Sequence, residues 1–254
     1  MAAFRVDRLW PDPHPDLDLD EAMASYAPPA VSGRPSVTVN MVTSIDGRAQ
    51  RAGTAEGIAG RSDRRLMQLY RAAHDAVAGG AGTLRAAGLW LRLRTDLAER
   101  RVAAGLAAHP TGILVAGSEP IPTDARWFRG DEHRIVVVGS ANPTRELPPG
   151  AELIRAPTPR PEPGWLLEQL ASRGTHSLLV EGGPHLNAAF LAAGLIDELC
   201  WSIGAHLLGT DALPMFAPIP AAVGSAEREP VRGELVSVLR HGDELFLRYR
   251  FGAG

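Results

Sequence analysis

A chain of 254 residues that is 45% hydrophobic and 22% charged has the length and composition of one large α/β domain or two small ones. A net charge of −3 excludes an electrostatic case for nucleic acid or for an anionic membrane, and because all 26 basic residues are arginine, a Schiff-base or P-loop lysine is excluded as well. The single cysteine, Cys200, excludes an intrachain disulfide and a thiolate zinc cluster; set in an apolar run, it reads as a small buried hydrophobe.

Residues 1–34 read as an N-terminal extension, acidic and spotted with proline, with one short helix at 20–26. No apolar signal core and no stretch of membrane-spanning length is evident, so a cytoplasmic protein without membrane contact is expected. Residues 35–254 then read as a single domain. Residues 36–42 predict a strand, 62–74 a helix, and 75–78 a short buried strand that ends in glycines. A helix opens near Thr83, and 96–107 continue helical. Residues 112–116 and 134–138, rich in Val and Ile, predict strands, with a further one at 152–154. Four prolines make 156–164 a loop. Residues 165–173 predict a helix stopped by Gly174, and 177–180 the strand after it. Alternation of this kind predicts a mostly parallel sheet with helices on both faces. The C-terminus breaks the pattern: 197–205 is strand-like, and 233–239 and 244–251 flank His241-Gly242-Asp243 as a hairpin closing one edge.

Chemistry gathers at strand ends. In Glu181-Gly182-Gly183-Pro184, the apolar strand stops at an acid and a small-residue helix starts at about 184. Gly183 suits the N-cap and Pro184 the first helical turn. Free backbone N–H groups and a partial positive charge then face the sheet's carboxyl edge, and paired glycines admit a ligand close to the backbone, which amounts to a phosphate site. Glu181 strengthens the reading, because a carboxylate at the mouth of a buried strand is costly unless something hydrogen-bonds to it. A second turn, Gly79-Gly80-Ala81-Gly82-Thr83-Leu84-Arg85, lacks the third glycine of a dinucleotide fingerprint, yet Thr83 offers a hydroxyl and Arg85 a charged fork. A third cluster, Asn40 to Gly47, follows an apolar strand and ends at Asp46-Gly47; by itself it is a turn.

Together these motifs, VNMVTSIDGRA, GGAGTLRAAG and LLVEGGPHLNAAFLAAGLIDELCWSIGAHLLG, resemble the riboflavin-biosynthesis pyrimidine reductase family over about residues 34–251. Stand-alone members without a deaminase are most similar. The resemblance implies a dihydrofolate-reductase-like α/β fold, NADPH as cofactor, a small pyrimidine or pterin substrate and a homodimer. It implies that Gly80, Gly82, Thr83, Gly182, Gly183, Pro184, His185 and Leu186 hold the cofactor's phosphates, that Ser118 lies near the adenosine 2′-phosphate, and that Thr43 lies near the nicotinamide. Asn40, Arg71 and Glu181 match substrate-facing positions. Asp46 matches an acid beside the reaction centre, with Glu181 the second catalytic candidate; either carboxyl could hold a proton for the acceptor nitrogen or stay ionised to stabilise an iminium. No metal is implied.

One stretch departs from the family. Its Asp-Asp-Pro-x-Leu-Thr-x-Arg segment is replaced by residues 87–94, AGLWLRLR, without the acids and the proline. This replacement raises the alternative of an NADPH-binding sensor without catalysis, and the shared fold and related rings raise that of a dihydrofolate or pterin reductase.

Overall fold

The computed structural model describes residues 4–51, 54–88, 90–218 and 229–252. The strands and helices, in chain order, are β1 (Arg5–Trp10), β2 (His14–Asp18), α1 (Leu19–Ala22), β3 (Ser36–Ser44), β4 (Arg48–Gln50), α2 (Arg61–Ala73), β5 (Ala76–Gly80), α3 (Ala81–Ala87), α4 (Thr95–Ala103), β6 (Thr111–Ala116), β7 (Arg134–Val138), β8 (Ala151–Arg155), α5 (Pro163–Ala171), β9 (Ser177–Val180), α6 (Pro184–Ala192), β10 (Glu198–Gly204), β11 (Leu213–Pro214), β12 (Glu234–His241) and β13 (Glu244–Arg250). An 11-stranded sheet runs β2-β1-β12-β13-β10-β3-β9-β5-β6-β7-β8, and β4 pairs with β11 in a small antiparallel sheet. From β10 to β8 every pairing is parallel. From β13 to β2 every pairing is antiparallel.

Local chemistry explains the elements. β7, RIVVV, is buried along its whole length, as a parallel strand covered on both faces requires. Its alternate residues split between two cores: Val136 and Val138 join Leu66, Tyr70, Leu114, Leu179 and Phe246 on one face, while Ile135 and Val137 join Val39, Ile113, Leu166, Leu170 and Phe190 on the other. Prolines start α5 and α6, where a missing N–H costs nothing. The α/β expectation, with a mostly parallel sheet flanked by helices and a C-terminal hairpin, holds.

Two expectations need correction. The helix expected at 20–26 runs Leu19–Ala22, capped by the Asp18 carboxylate, and two strands precede it. The C-terminal hairpin therefore does not close the sheet, because β1 continues it with Asp7 opposite Arg240. Polar composition hid these strands: β1 buries only Val6, and β2 is an exposed charged edge of the kind that resists further pairing. The core is also closed by ions. Glu198, fully buried on β10, accepts from Arg248 at 2.9 Å and from the Tyr26 hydroxyl at 2.9 Å. Asp197 accepts two bonds from Arg34 and one from the Val37 amide, which fixes the entry into β10. Among the described residues, no helix is long and apolar enough to cross a membrane.

His74, at the end of α2, is fully buried and donates from Nδ1 to the Tyr70 carbonyl at 2.7 Å. Burial holds its imidazole down at about 4, against 6.5 for the free group. Below pH 6.5 the unfolded chain takes up a proton that the folded chain refuses, so this group's contribution is complete above 6.5 and is lost as pH falls toward 4. We expect the urea midpoint to drop between pH 7 and pH 4.5, and the drop to shrink in His74→Gln. An unchanged slope in the variant would assign acid sensitivity elsewhere.

Candidate functional site

The chain leaves β5 through α3 toward β6, but it leaves β9 through α6 toward β10 on the other side. Neighbouring strands whose connections diverge leave a crevice at their carboxyl ends. A cleft of about 160 Å³ lies there. Asn40, Met41 and Val42 of β3 form one wall, Asp63 and Met67 of α2 another, and Thr83, Glu181, Gly183 and Pro184 close it, with Ala49 and Gln50 from β4 at the rim.

Glu181 finds the partner that its position demands. Both of its oxygens accept from Arg71, at 2.6 Å each, and both side chains are nearly inaccessible. Arg71 also donates to the Trp90 carbonyl at 2.9 Å. The guanidinium therefore joins α2, the end of β9 and the segment after α3. Of the substrate-facing positions expected from the sequence, Arg71 is neither an exposed helical arginine nor an unengaged grip for phosphate. In residues 90–94, part of the stretch that departs from the family, Leu91 and Leu93 are buried, and the Trp90 ring lies 4.3 Å from the Arg126 guanidinium. Leu89, within the same stretch, lies outside the described residues.

The two glycine turns meet. The Gly80 amide donates to the Gly182 carbonyl at 2.8 Å, so the end of β5 and the start of α6 form one surface. Gly182 has φ +83°, a conformation suited to glycine, and a β-carbon added to Gly183 would stand 2.9 Å from the Thr83 hydroxyl. That hydroxyl is buried without a hydrogen-bond partner. An unsatisfied donor, a side-chain-free approach and a helix start converge here, which is the chemistry that an anionic phosphate requires.

Residues 35–247 match the family model for the RibD C-terminal domain. The chain belongs to that family, the riboflavin-biosynthesis pyrimidine reductases. Among its relatives, a 2,5-diamino-6-ribosylamino-4(3H)-pyrimidinone 5′-phosphate reductase of Archaeoglobus fulgidus is 30% identical over 181 residues, covering 69% of this chain and 83% of its own. The corresponding reductase of Methanothermobacter thermautotrophicus is 31% identical over 179 residues, covering 69% and 80%. Of the solved structures, a pyrimidine reductase-like protein from Corynebacterium diphtheriae superposes with a TM-score of 0.73 at 20% identity, covering 87% of this chain and 93% of its own. RibD of Acinetobacter baumannii gives 0.67 at 26% identity, with 87% and 59% covered. The fold is shared with these structures.

Within this RibD-family cleft the remaining sequence candidates divide. Asn40 lines it beside Met41. The hydroxyl of Thr43 is fully engaged: it donates to the Ser44 carbonyl at 2.9 Å and accepts from the Trp201 indole at 2.8 Å. Gly82, Ser118 and His185 are exposed and do not line the cleft, and Leu186 packs into the core under α6. Asp46 needs correction. It is exposed, not in a dry cleft, and its oxygens accept from Ser44 Oγ at 2.5 Å and from the amides of Leu208 and Gly209 at 3.1 and 2.8 Å. The Ser44 bond, with the two amides, lowers its carboxyl to about 2. Of the two states that the sequence left open, these bonds favour the ionised one, and Asp46 ties the turn after β3 to the segment after β10.

Sequence reasoning passed over Asp63, which reads as an ordinary acid in a helix's first turn. In the structure it lines the cleft. Burial pushes its carboxyl up to about 6; the Ser202 hydroxyl bonded to it pulls the other way, Glu244 and Glu181 add to the rise, and Arg64 opposes it. Nothing in the linear pattern signals this, since Ser202 lies 139 positions from Asp63 along the chain.

Removing Arg71 leaves the Glu181 charge buried and alone. Arg71→Met should cost about 3–5 kcal/mol of folding stability, measured by denaturant titration. Glu181→Gln, which keeps its hydrogen-bonding shape, should cost less. Equal and small losses would mean that solvent already reaches the pair.

Proposed function

We propose that this chain is an NADPH-dependent pyrimidine reductase of riboflavin biosynthesis, which converts the ribosylamino side chain of a phosphorylated pyrimidine to ribitylamino. The observation that carries the cofactor is the buried, unpartnered Thr83 hydroxyl facing Gly183 at the start of α6. There Thr83 Oγ1 would donate to the diphosphate, and the start of α6 behind Gly182, Gly183 and Pro184, with the His185 amide and the helix's partial positive charge, would carry the rest of its charge. Gly80 and Gly82 keep the opposite turn free of side chains. Ser118 and His185, exposed beyond the two turns, would meet the adenosine end, and Leu186 supports α6 from the core.

NADPH, when bound, would supply the hydride for C1′ of the ring-opened imine, and the proton for the nitrogen would come from solvent reaching the open cleft. The chain's own part is placement. Asn40 and Met41 in the middle of β3 would flank the space in which the two reacting faces stack, and Thr43, fixed from both sides, holds the strand end still. The Arg71–Glu181 pair forms a rigid polar floor for the substrate. Asp46 contributes by anchoring the loops at the mouth.

A homodimer belongs to the same proposal. The register sets Leu199, Trp201 and Ile203 of β10 opposite Tyr249, Leu247 and Leu245 of β13, all half-buried on one face, with Leu235 and Val238 of β12 alongside. A second copy would cover this apolar stripe.

Three measurements test the reading. Purified protein given NADPH with each phosphoribosylamino pyrimidine, and separately with dihydrofolate, should lose absorbance at the nicotinamide band only with a pyrimidine; turnover of dihydrofolate alone would overturn the assignment. Gly183→Val should weaken NADPH binding by about tenfold or more, read as loss of the ligand-induced thermal upshift, while the unliganded melting profile stays cooperative. Sedimentation should give a dimer at micromolar concentration, and Leu247→Arg should give a monomer.

A further inference from the structure

The reductases similar to this chain act, by their names, on two pyrimidines that differ at one ring position. One group reduces a 2,5-diamino-4(3H)-pyrimidinone, and a structural relative from Thermotoga maritima a 5-amino-uracil. The first carries an amino group at C2 beside N3–H, two adjacent donors. The second carries a C2 carbonyl beside N3–H, an acceptor next to a donor. A site that reads this edge needs a group with the matching pair of atoms.

Glu181 is unsuited to that task, because both of its oxygens are committed to Arg71. Asp46 is outside the cleft and bound to loop amides. Asp63 is the other carboxyl in the cleft wall. Ser202, itself 2% exposed on β10, bonds to it from the sheet side. No arginine is paired with it among the described ion pairs. It sits one helical turn before Met67, whose side chain also lines the wall, so a flat ring lying against Met67 presents its edge toward Asp63.

We propose that Asp63 reads the C2–N3 edge of the pyrimidine, and that its two oxygens select the 2-amino-4(3H)-pyrimidinone over the uracil. This rests on the reading of the chain as a pyrimidine reductase. A carboxylate accepts two parallel N–H bonds from the amino-pyrimidinone, while a uracil sets its C2 carbonyl oxygen against a negative oxygen. Protonation inverts the preference: a carboxylic acid donates to the C2 carbonyl and accepts from N3–H, which complements uracil. The groups facing Asp63 are Ser202 on β10, Glu244 at the start of β13, Glu181 at the end of β9 and Arg64 on its own helix. Glu244 accepts from the Gly60 amide at 2.5 Å and leaves its other oxygen buried without a partner. With burial first and these carboxylates adding to it, Asp63 changes charge near pH 6, so the choice of substrate becomes pH-dependent within a measurable range.

The test is the ratio of kcat/KM for the diamino-pyrimidinone to that for the uracil, each with NADPH. In the native protein at pH 7.5 it should exceed about 10, since a bond to a charged group is worth more than a neutral one. It should fall as pH drops to 5. Asp63→Asn, which presents one acceptor and one donor at the same positions, should lower the ratio at least about tenfold through loss on the diamino substrate, and should remove the pH dependence of the ratio. Equal losses on both substrates, a ratio unchanged in the variant, or a native preference for uracil at pH 7.5 would each overturn the assignment of Asp63. Reduction of neither pyrimidine by the native protein would instead sink the reductase reading, and this inference with it.

Discussion

The buried ion pair between Arg71 and Glu181 is the constraint on which the rest of the cleft depends. It joins the middle layer of the fold, where β9 ends, to α2 on one face and to the backbone after α3. A charge pair this inaccessible survives only because every part of it is bonded: two carboxylate oxygens to two guanidinium nitrogens, and a further nitrogen to a carbonyl. With the pair in place, the carboxyl end of β9 cannot drift relative to α2. The walls that carry Met67, Asp63 and Thr83 therefore keep their spacing.

The sheet order does the complementary work. Inserting β9 between β3 and β5 brings three strand ends together, and the diverging connections of β5 and β9 open the space above them. The Gly80–Gly182 bond then welds two turns that are about a hundred residues apart in the chain. One turn alone would be a bend. Their junction makes a surface bare of side chains, with one hydroxyl left unsatisfied at its centre.

The RibD-family relationship and the local physics agree most closely where backbone chemistry decides, at the glycine turns and the start of α6. They part at residues 87–94. The acids and proline of the family's pattern are absent, yet the segment still braces the Arg71–Glu181 pair through the Trp90 carbonyl, with Leu91 and Leu93 buried after it. A backbone carbonyl needs no particular side chain, so such a brace tolerates replacement that a side-chain ligand would not.

The sequence alone determined the parallel α/β core, because runs such as RIVVV and SLLV can be buried only on both faces, and it determined the start of α6, because Gly-Gly-Pro before a small-residue helix leaves few other conformations. It also marked Glu181 as needing a partner. Only the tertiary structure decided who that partner is, since Arg71 lies 110 positions away and α2 had to be packed on the sheet before the two could meet. The same holds for β1 and β2, polar strands that are strands only because β12 offers an edge, and for the two carboxyls whose states separate. Asp46 is held low by the Ser44 hydroxyl and by loop amides, and Asp63 is pushed toward neutrality by burial. Hydrophobic periodicity is written along the chain, but the cost of a buried charge is set by whatever surrounds it in three dimensions.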